Sequence, residues 1–220
     1  QWSQMTTTAL PDQKLVSVDC TSDSNCWTVG EKNNNQLNFA HYNGTSWSSH
    51  PNNSADKDLA RINCISASDC WAVGESDSGG GALLMHFDGS SWTRNAPAQQ
   101  TSVAEANLDG VTCVNADDCW AVGKKSGGSA NINHWDGSNW SSVTVAQLGD
   151  APEIDLNAVD CQGTNNCWAV GKASSISTLI HWDGTKWTQF DKSSLSTADL
   201  YDVKIIAPTT VNLYAWSNDL

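Results

Sequence analysis

One hexapeptide is written four times in this chain. Asn25–Gly30 reads NCWTVG, Asp69–Gly74 and Asp118–Gly123 read DCWAVG, and Asn166–Gly171 reads NCWAVG. Each copy is preceded by a second cysteine, so the first Cys of each unit is Cys20, Cys64, Cys113 and Cys161, spaced by 44, 49 and 48 residues. The second Cys follows six positions later, at Cys26, Cys70, Cys119 and Cys167. A further landmark follows each hexapeptide: HYNGTSW (His41–Trp47), HFDGSSW (His86–Trp92), HWDGSNW (His134–Trp140) and HWDGTKW (His181–Trp187). Landmarks in step over more than 40 residues restrict the chain to a repeat architecture, in which each unit buries its apolar surface against its neighbours.

Each unit reads as four short strands. The first ends in an apolar pattern at the first Cys, as in Leu59, Ile62, Cys64 and Leu108, Val111, Cys113. The second is the hexapeptide. The third alternates apolar residues into the His, and Asn-Gly or Asp-Gly then marks a tight turn, because Gly accepts the positive φ such turns need. The fourth begins at the Trp. No segment holds a sustained 3.6-residue apolar period, so little helix is expected. Four-stranded units of this length, repeated radially, predict an all-β, five-bladed β-propeller. Its blades fall at about 12–50, 56–97, 105–147, 153–192, and 198–220 with 1–8, in one domain over residues 1–220.

The fifth blade is expected to be shared between the chain ends. Gln1–Thr6 (QWSQMT) looks like a fourth strand, with Trp2 in the slot of Trp47. Leu200–Ser217 looks like first and second strands, with Ile205 and Val211 in the two Cys positions. A third strand is missing there. The expectation is a strand supplied after Leu220, one inserted by a neighbouring molecule, or a three-stranded blade. Gln1 inside a blade fits a processed N-terminus.

The eight Cys form four pairs, each bracketing five residues rich in turn formers: TSDSN, ISASD, VNADD and QGTNN. Such a turn brings the two Cys across from each other, within disulfide reach. Zinc is disfavoured, since CxxC is absent and the pairs lie on different blades. Disulfides imply an oxidising compartment, hence a secreted or cell-surface protein. Net charge is −13, with only 11 Lys plus Arg, which argues against nucleic acid and anionic membrane surfaces as partners. No apolar run is long enough to insert into a membrane.

The chain holds 12 Trp. Trp27, Trp71, Trp120 and Trp168 are read as inter-blade core, with Trp and Val facing one neighbour and Ala or Thr and Gly facing the other. Trp47, Trp92, Trp140 and Trp187 are read as core in preference to ligand-stacking surfaces. His41, His86, His134 and His181 are read as hydrogen-bonded structural residues, not a metal ring. Asn115–Asp118 and Glu75–Gly81 lack calcium-loop spacing, so no metal or cofactor is expected. No catalytic residue is assigned: Arg61 and Arg94 are too few for a sialidase-type carboxylate clamp, and a GxSxG elbow is absent.

One rim, carrying the turns between strands 1 and 2 and between strands 3 and 4, is nearly constant. The other differs from blade to blade, and it is expected to hold any ligand. The candidate binding residues there are Glu31, Glu75, Lys124 and Lys172 in equivalent slots, joined by Asn33, Asn34, Asn35, Arg61 and Arg94.

The joint motif C-x5-C-W-A-V-G … H-W-[DN]-G-x-x-W resembles repeats of secreted bacterial β-propeller proteins, many of unassigned function. HWDGSNW is distantly similar to the Asp-box of sialidase-like propellers, S-x-D-x-G-x-x-W, but its Asp and Gly are adjacent, so no catalytic residue carries over. A five-bladed ring of near-identical blades is similar in plan to tachylectin-type lectins, whose sites repeat between blades. These likenesses are architectural and fix no activity. A rigid, disulfide-stapled ring offering repeated shallow sites suits multivalent binding, so the expectation is a non-enzymatic extracellular module, lectin-like, for a glycan or protein. The alternative is a structural subunit of a surface filament that self-associates through its incomplete blade. A glycan-active enzyme is the least favoured reading.

Non-reducing peptide mapping is expected to recover Cys20–Cys26, Cys64–Cys70, Cys113–Cys119 and Cys161–Cys167. Each small loop contributes roughly 2–2.5 kcal/mol in the chain-entropy treatment. Any cross-blade pair would overturn the repeat assignment.

Overall fold

The computed structural model describes residues 14–33, 36–50, 52, 58–76, 82–95, 106–125, 130–143, 154–173, 176–190, 199–207 and 210–216. The described residues are all β. Blade one holds β1 (Leu15–Ser22), β2 (Asn25–Asn33), β3 (Gln36–Tyr42) and β4 (Trp47–Ser49). Blade two holds β5 (Asp58–Ser66), β6 (Asp69–Glu75), β7 (Ala82–Phe87) and β8 (Trp92–Arg94). Blade three holds β9 (Ala106–Asn115), β10 (Asp118–Lys125), β11 (Ala130–Trp135) and β12 (Trp140–Ser142). Blade four holds β13 (Asp155–Gly163), β14 (Asn166–Ala173), β15 (Ile176–Trp182) and β16 (Trp187–Gln189). A last antiparallel pair, β17 (Asp199–Ala207) and β18 (Thr210–Trp216), follows. Each four-stranded blade is an antiparallel meander in chain order, and a single bridge, Glu75 to Asn107, joins blades two and three. The proposed fourth strand at Gln1–Thr6 lies outside the described residues.

All six positions of the hexapeptide have a structural cause. The Cys sits directly across from the first Cys of its unit, and the four bridges form within their own blades. In the last pair, Ile205 and Val211 face each other at the same register. The Trp and Val point forward to the next blade, and the Ala between them points back. Trp27 and Val29 thus pack with Leu59, Ile62 and Ala72. Trp71 and Val73 pack with Leu108, Val111 and Ala121, and Trp120 and Val122 with Leu156, Val159 and Ala169. The final Gly allows close approach by the first strand. A Cβ on Gly30, Gly74, Gly123 or Gly171 would stand 1.9–2.0 Å from the carbonyl oxygen of Lys14, Asp58, Asn107 or Asp155. The first residue, Asn or Asp, holds the repeat His, as described below.

The strand 3–4 turns follow from their Asn-Gly and Asp-Gly pairs. Gly44, Gly89, Gly137 and Gly184 have φ of 88–93°. The preceding side chain locks each turn: Asp136 Oδ1 accepts the Ser138 and Asn139 backbone N–H groups at 2.9 and 2.8 Å. Asn43, Asp88 and Asp183 do the same. The turn then abuts the Cys turn of its own blade, where a Cβ on Gly137 would meet Asp117. This is the constant rim anticipated from sequence.

At each of the first three interfaces, the forward Trp meets the fourth-strand Trp of the next blade edge-on. Trp27–Trp92, Trp71–Trp140 and Trp120–Trp187 have centroid separations of 5.4, 5.1 and 5.2 Å and interplanar angles of 84°, 82° and 83°. None of these six indole N–H groups has a conventional hydrogen-bond partner. The edge-to-face arrangement sets the positive edge of one ring against the π-face of the other. At the fourth interface, among the described residues, Val170 and Leu179 pack on Leu200 and Val203, with a part-exposed Trp168 at the margin.

First strands stitch blade to blade. Asp19 Oδ2 accepts the Cys64 N–H at 2.7 Å, Asn63 Oδ1 the Cys113 N–H at 2.9 Å, and Asp160 Oδ2 the Ile205 N–H at 2.7 Å. Blade one differs on its backward face. Leu15 and Val18 are 36% and 59% exposed, whereas Leu59 and Ile62, which take their places in blade two, are 1% and 4% exposed.

The interface ranking is testable. Trp120→Ala should cost about 3–5 kcal/mol, because the cavity opens in a closed interface. Trp168→Ala should cost clearly less. Urea unfolding that gave equal losses would contradict the packing described.

Candidate functional site

Each repeat His is hydrogen-bonded within its own blade, as expected, although each remains half-buried. His86 Nε2 lies 2.9 Å from Asp69 Oδ1 and His134 Nε2 2.8 Å from Asp118 Oδ1. In the other two blades, His41 and His181 donate to Asn25 and Asn166 at 3.2 and 3.0 Å. Each imidazole also lies on its own blade's forward Trp, at 4.3–4.6 Å. Burial lowers the pKa of His41, with a further push from nearby His50, and burial lowers that of His181 against an opposing pull from Asp183.

Most of the charged candidates gather at the variable-rim end of the first and second strands. Glu75, Lys124 and Lys172 pair in register with Asp58, Asn107 and Asp155, and the Glu31 N–H donates to Lys14 O in the equivalent place. Several are engaged within the fold. Glu31 is ion-paired with Lys14, Lys172 with Asp199 at 3.1 Å, and Arg61 with Asp202 of β17 at 3.7 Å. Arg61, Glu75 and Lys124 all act electrostatically on Asp109. Burial raises the Asp109 pKa, Lys124 opposes that rise most strongly, and Asp155 and Glu75 reinforce it. Arg94 stands apart on β8, donating to Ser76 Oγ at 3.0 Å. Asn33 pairs with Gln36 at the end of β2, and Asn34 and Asn35 lie outside the described residues. The structure therefore brings three of the candidates together and ties others into ion pairs.

A concave site lies elsewhere, in the groove between the outer edges of blades one and two. It is a cleft of about 390 Å³, lined by Ser49, His50 and Asn52 from blade one and its exit, and by Phe87, Ser90, Ser91 and Trp92 from blade two. The volume is within the range of small-molecule sites, about 300–1,000 Å³. Trp92 and Phe87 supply the apolar floor, each 8% exposed. The rest of the lining is hydroxyl, imidazole and carboxamide, and no charged side chain lines it among the described residues.

The cleft is held from several sides. The His50 N–H donates to Phe39 O at 2.7 Å, and its ring stands edge-on to Trp27 at 5.2 Å and hydrogen-bonds Ser48 Oγ at 3.1 Å. Asn52 Nδ2 donates to Trp92 O at 3.0 Å, tying the blade-one exit to β8. Ser90 and Ser91 stand in the turn locked by Asp88. The N–H donors from Ser91 and Ser90, with the Ser90 hydroxyl, hold the Asp88 carboxyl at a pKa of about 2. Sequence reasoning weighed Trp92 as a stacking surface but named none of the polar residues. The available signal was position 50: His50 stands where the other blades carry Asn95, Val143 and Phe190.

No protein-family model matches the chain, and no curated protein matches it in sequence. Solved structures do match in fold. YCF48 from Cyanidioschyzon merolae is 16% identical, with a TM-score of 0.57, over 90% of this chain and 62% of that one. The six-bladed β-propeller lectin of Aleuria aurantia, with a described fucose recognition mode, is 13% identical, with a TM-score of 0.59, over 87% of this chain and 66% of that one. The SapL1 lectin, solved with α-methyl fucoside, is 14% identical, with a TM-score of 0.59, over 91% of this chain and 71% of that one. The chain thus spans less than two thirds of the length of YCF48 and of the Aleuria lectin. At this identity the likeness is one of fold: an all-β architecture of the propeller type.

The lowered pKa of His41 and His181 sets a pH dependence. Their neutral forms are favoured by folding, so this contribution is complete above the ordinary value of 6.5 and is lost as pH falls through the lowered folded value. His181→Gln should therefore flatten the loss of stability between about pH 7.5 and pH 5 relative to the parent. Urea titrations at both pH values that left the difference unchanged would remove His181 from this role.

Proposed function

We propose that this chain is a non-enzymatic, extracellular, lectin-like module that binds glycans, built on a five-bladed propeller plan. The observation that carries this reading is the cleft between blades one and two. It pairs an aromatic floor with neutral hydrogen-bonding walls, and a saccharide offers the matching surfaces, apolar C–H faces and a rim of hydroxyls. The fucose-binding lectins among the solved structures of like fold support it, as do four disulfides suited to an oxidising compartment. The five-bladed count is supported by β17 and β18, which repeat the first and second strands of a blade down to the Ile205–Val211 register.

The state of Asp88 supports binding without turnover. Glycoside hydrolysis needs a carboxylic acid protonated near neutrality beside a second carboxylate. Asp88, which accepts from the cleft residues Ser90 and Ser91, is held at a pKa of about 2 and is occupied as a turn acceptor.

A second reading, a structural subunit, is favoured by the backward face of blade one, where Leu15 and Val18 are 36% and 59% exposed. Sedimentation separates the two: growth of oligomers with concentration, lost in Val18→Lys, would favour assembly. For the leading reading, a glycan array probed with labelled protein should give discrete positives. A blank array at high protein density would overturn it.

A further inference from the structure

The four disulfides are alike in spacing and register and differ in what covers them. In blades two, three and four the second Cys is 0% exposed and the first is half-buried. The cover comes from the indole of the preceding blade. Trp27 packs in one cluster with Cys64 and Cys70, Trp71 with Cys113 and Cys119, and Trp120 with Cys161 and Cys167. A thiolate attacks a disulfide from the side of one sulfur, so each of these bridges is closed to exchange until two blades part. Blade one departs from this pattern. Cys20 is exposed and Cys26 half-buried. Val18 beside them is 59% exposed, against 4%, 5% and 7% for Ile62, Val111 and Val159 in its place. Strands β5, β9 and β13 each pack against the first strand of the blade before, whereas β1 packs against β5 on its forward side. The backbone agrees. The Cys64 and Cys113 N–H groups donate to Asp19 and Asn63 of the preceding blade, but the Cys20 N–H donates to Asp19 of its own strand at 3.0 Å.

We infer that Cys20–Cys26 is a site of reversible thiol–disulfide exchange with an external thiol, while the other three bridges are structural. The thiolate forms a bond to the exposed Cys20 Sγ, the Cys20–Cys26 bond breaks, and Cys26 leaves as a thiolate that takes a proton from water. With a dithiol, its second sulfur then displaces Cys20, so the dithiol is oxidised to a disulfide and both Cys are reduced. Access to the sulfur is what separates labile bridges from inert ones here. Blade five shows that the hairpin outlasts its bridge: Ile205 and Val211 stand across from each other in the register of the Cys pairs, with no covalent link. In blade one the ladder from Leu15–Gly30 to Asp19–Trp27 remains, and Thr28 Oγ1 donates to Ser17 O at 2.8 Å. Opening is therefore local, and it presents a thiol at Cys20 to which a thiol-bearing molecule can be joined. This inference is independent of the glycan-binding reading.

The test is limited reduction of the intact, oxidised chain with dithiothreitol in native buffer, followed by alkylation of the freed thiols and peptide mapping over time. Cys20 and Cys26 should be alkylated at least about tenfold faster than the other Cys, at a rate unchanged by low urea, because no blade has to open. The singly reduced chain should keep its near-ultraviolet circular dichroism. With glutathione in place of the dithiol, the adduct should map to Cys20. A double variant, Cys20→Ala with Cys26→Ala, should fold with the other three bridges formed. Reduction of another bridge first, loss of all four together, an adduct confined to Cys26, or a double variant that does not fold would overturn the inference.

Discussion

The structure depends on one contact made repeatedly: a large indole from one blade entering the backward face of the next. Trp27, Trp71 and Trp120 are at most 3% exposed, and each needs a small residue opposite it. Ala72, Ala121 and Ala169 provide that space. The requirement propagates outward. A bulky side chain can point forward only if its neighbour pointing back is small, which fixes the Trp-Ala-Val alternation on a strand of period two. The Cys before it and the Gly after it then hold the first strand in the one register that aligns these faces. Burial of this aromatic area stabilises the contact by about 25 cal/mol per Å² of apolar surface.

That logic is local, and so the sequence displays it. The Cys spacing of six implies a hairpin, and the hairpin implies the bridge. The Asn-Gly and Asp-Gly pairs imply turns, and the turns take their expected positive φ. Even the substitution of Ile205 and Val211 for the Cys pair keeps the register. The candidate site was less legible, for two physical reasons. Glu31, Lys172 and Arg61 looked free because their partners Lys14, Asp199 and Asp202 lie 17 or more residues away in the chain. The cleft was hidden because its lining comes from two blades, Ser49, His50 and Asn52 on one side and Phe87, Ser90, Ser91 and Trp92 on the other, and becomes a volume only when both are in place.

The arrangement divides the molecule between parts that bear stability and parts available for recognition. The interior faces, the Cys turns and the Asx-locked turns are bound to one another, and any change there disturbs packing or a hydrogen bond. The outermost strands are short, three residues each, and contribute little to the ladder. Residues at their ends, such as His50, Asn95, Val143 and Phe190, vary in chemistry without breaking the blade. Recognition placed there is supported by a rigid wall on each side, which keeps the ordering cost of binding low.

The backward face of blade one has a meaning beyond its own exposure. Leu15 and Val18 repeat the surface that Leu59 and Ile62 offer to Trp27 and Val29. Among the described residues every blade contact is heterologous: a front meets a back. Such a head-to-tail surface carries its own rotation per step, and that rotation alone decides whether a series returns on itself or continues as an open helix. The number of blades is therefore an angular property of the Trp-to-Ala contact. A change in the tilt of one indole would alter the count that closes, with no change in which residues touch.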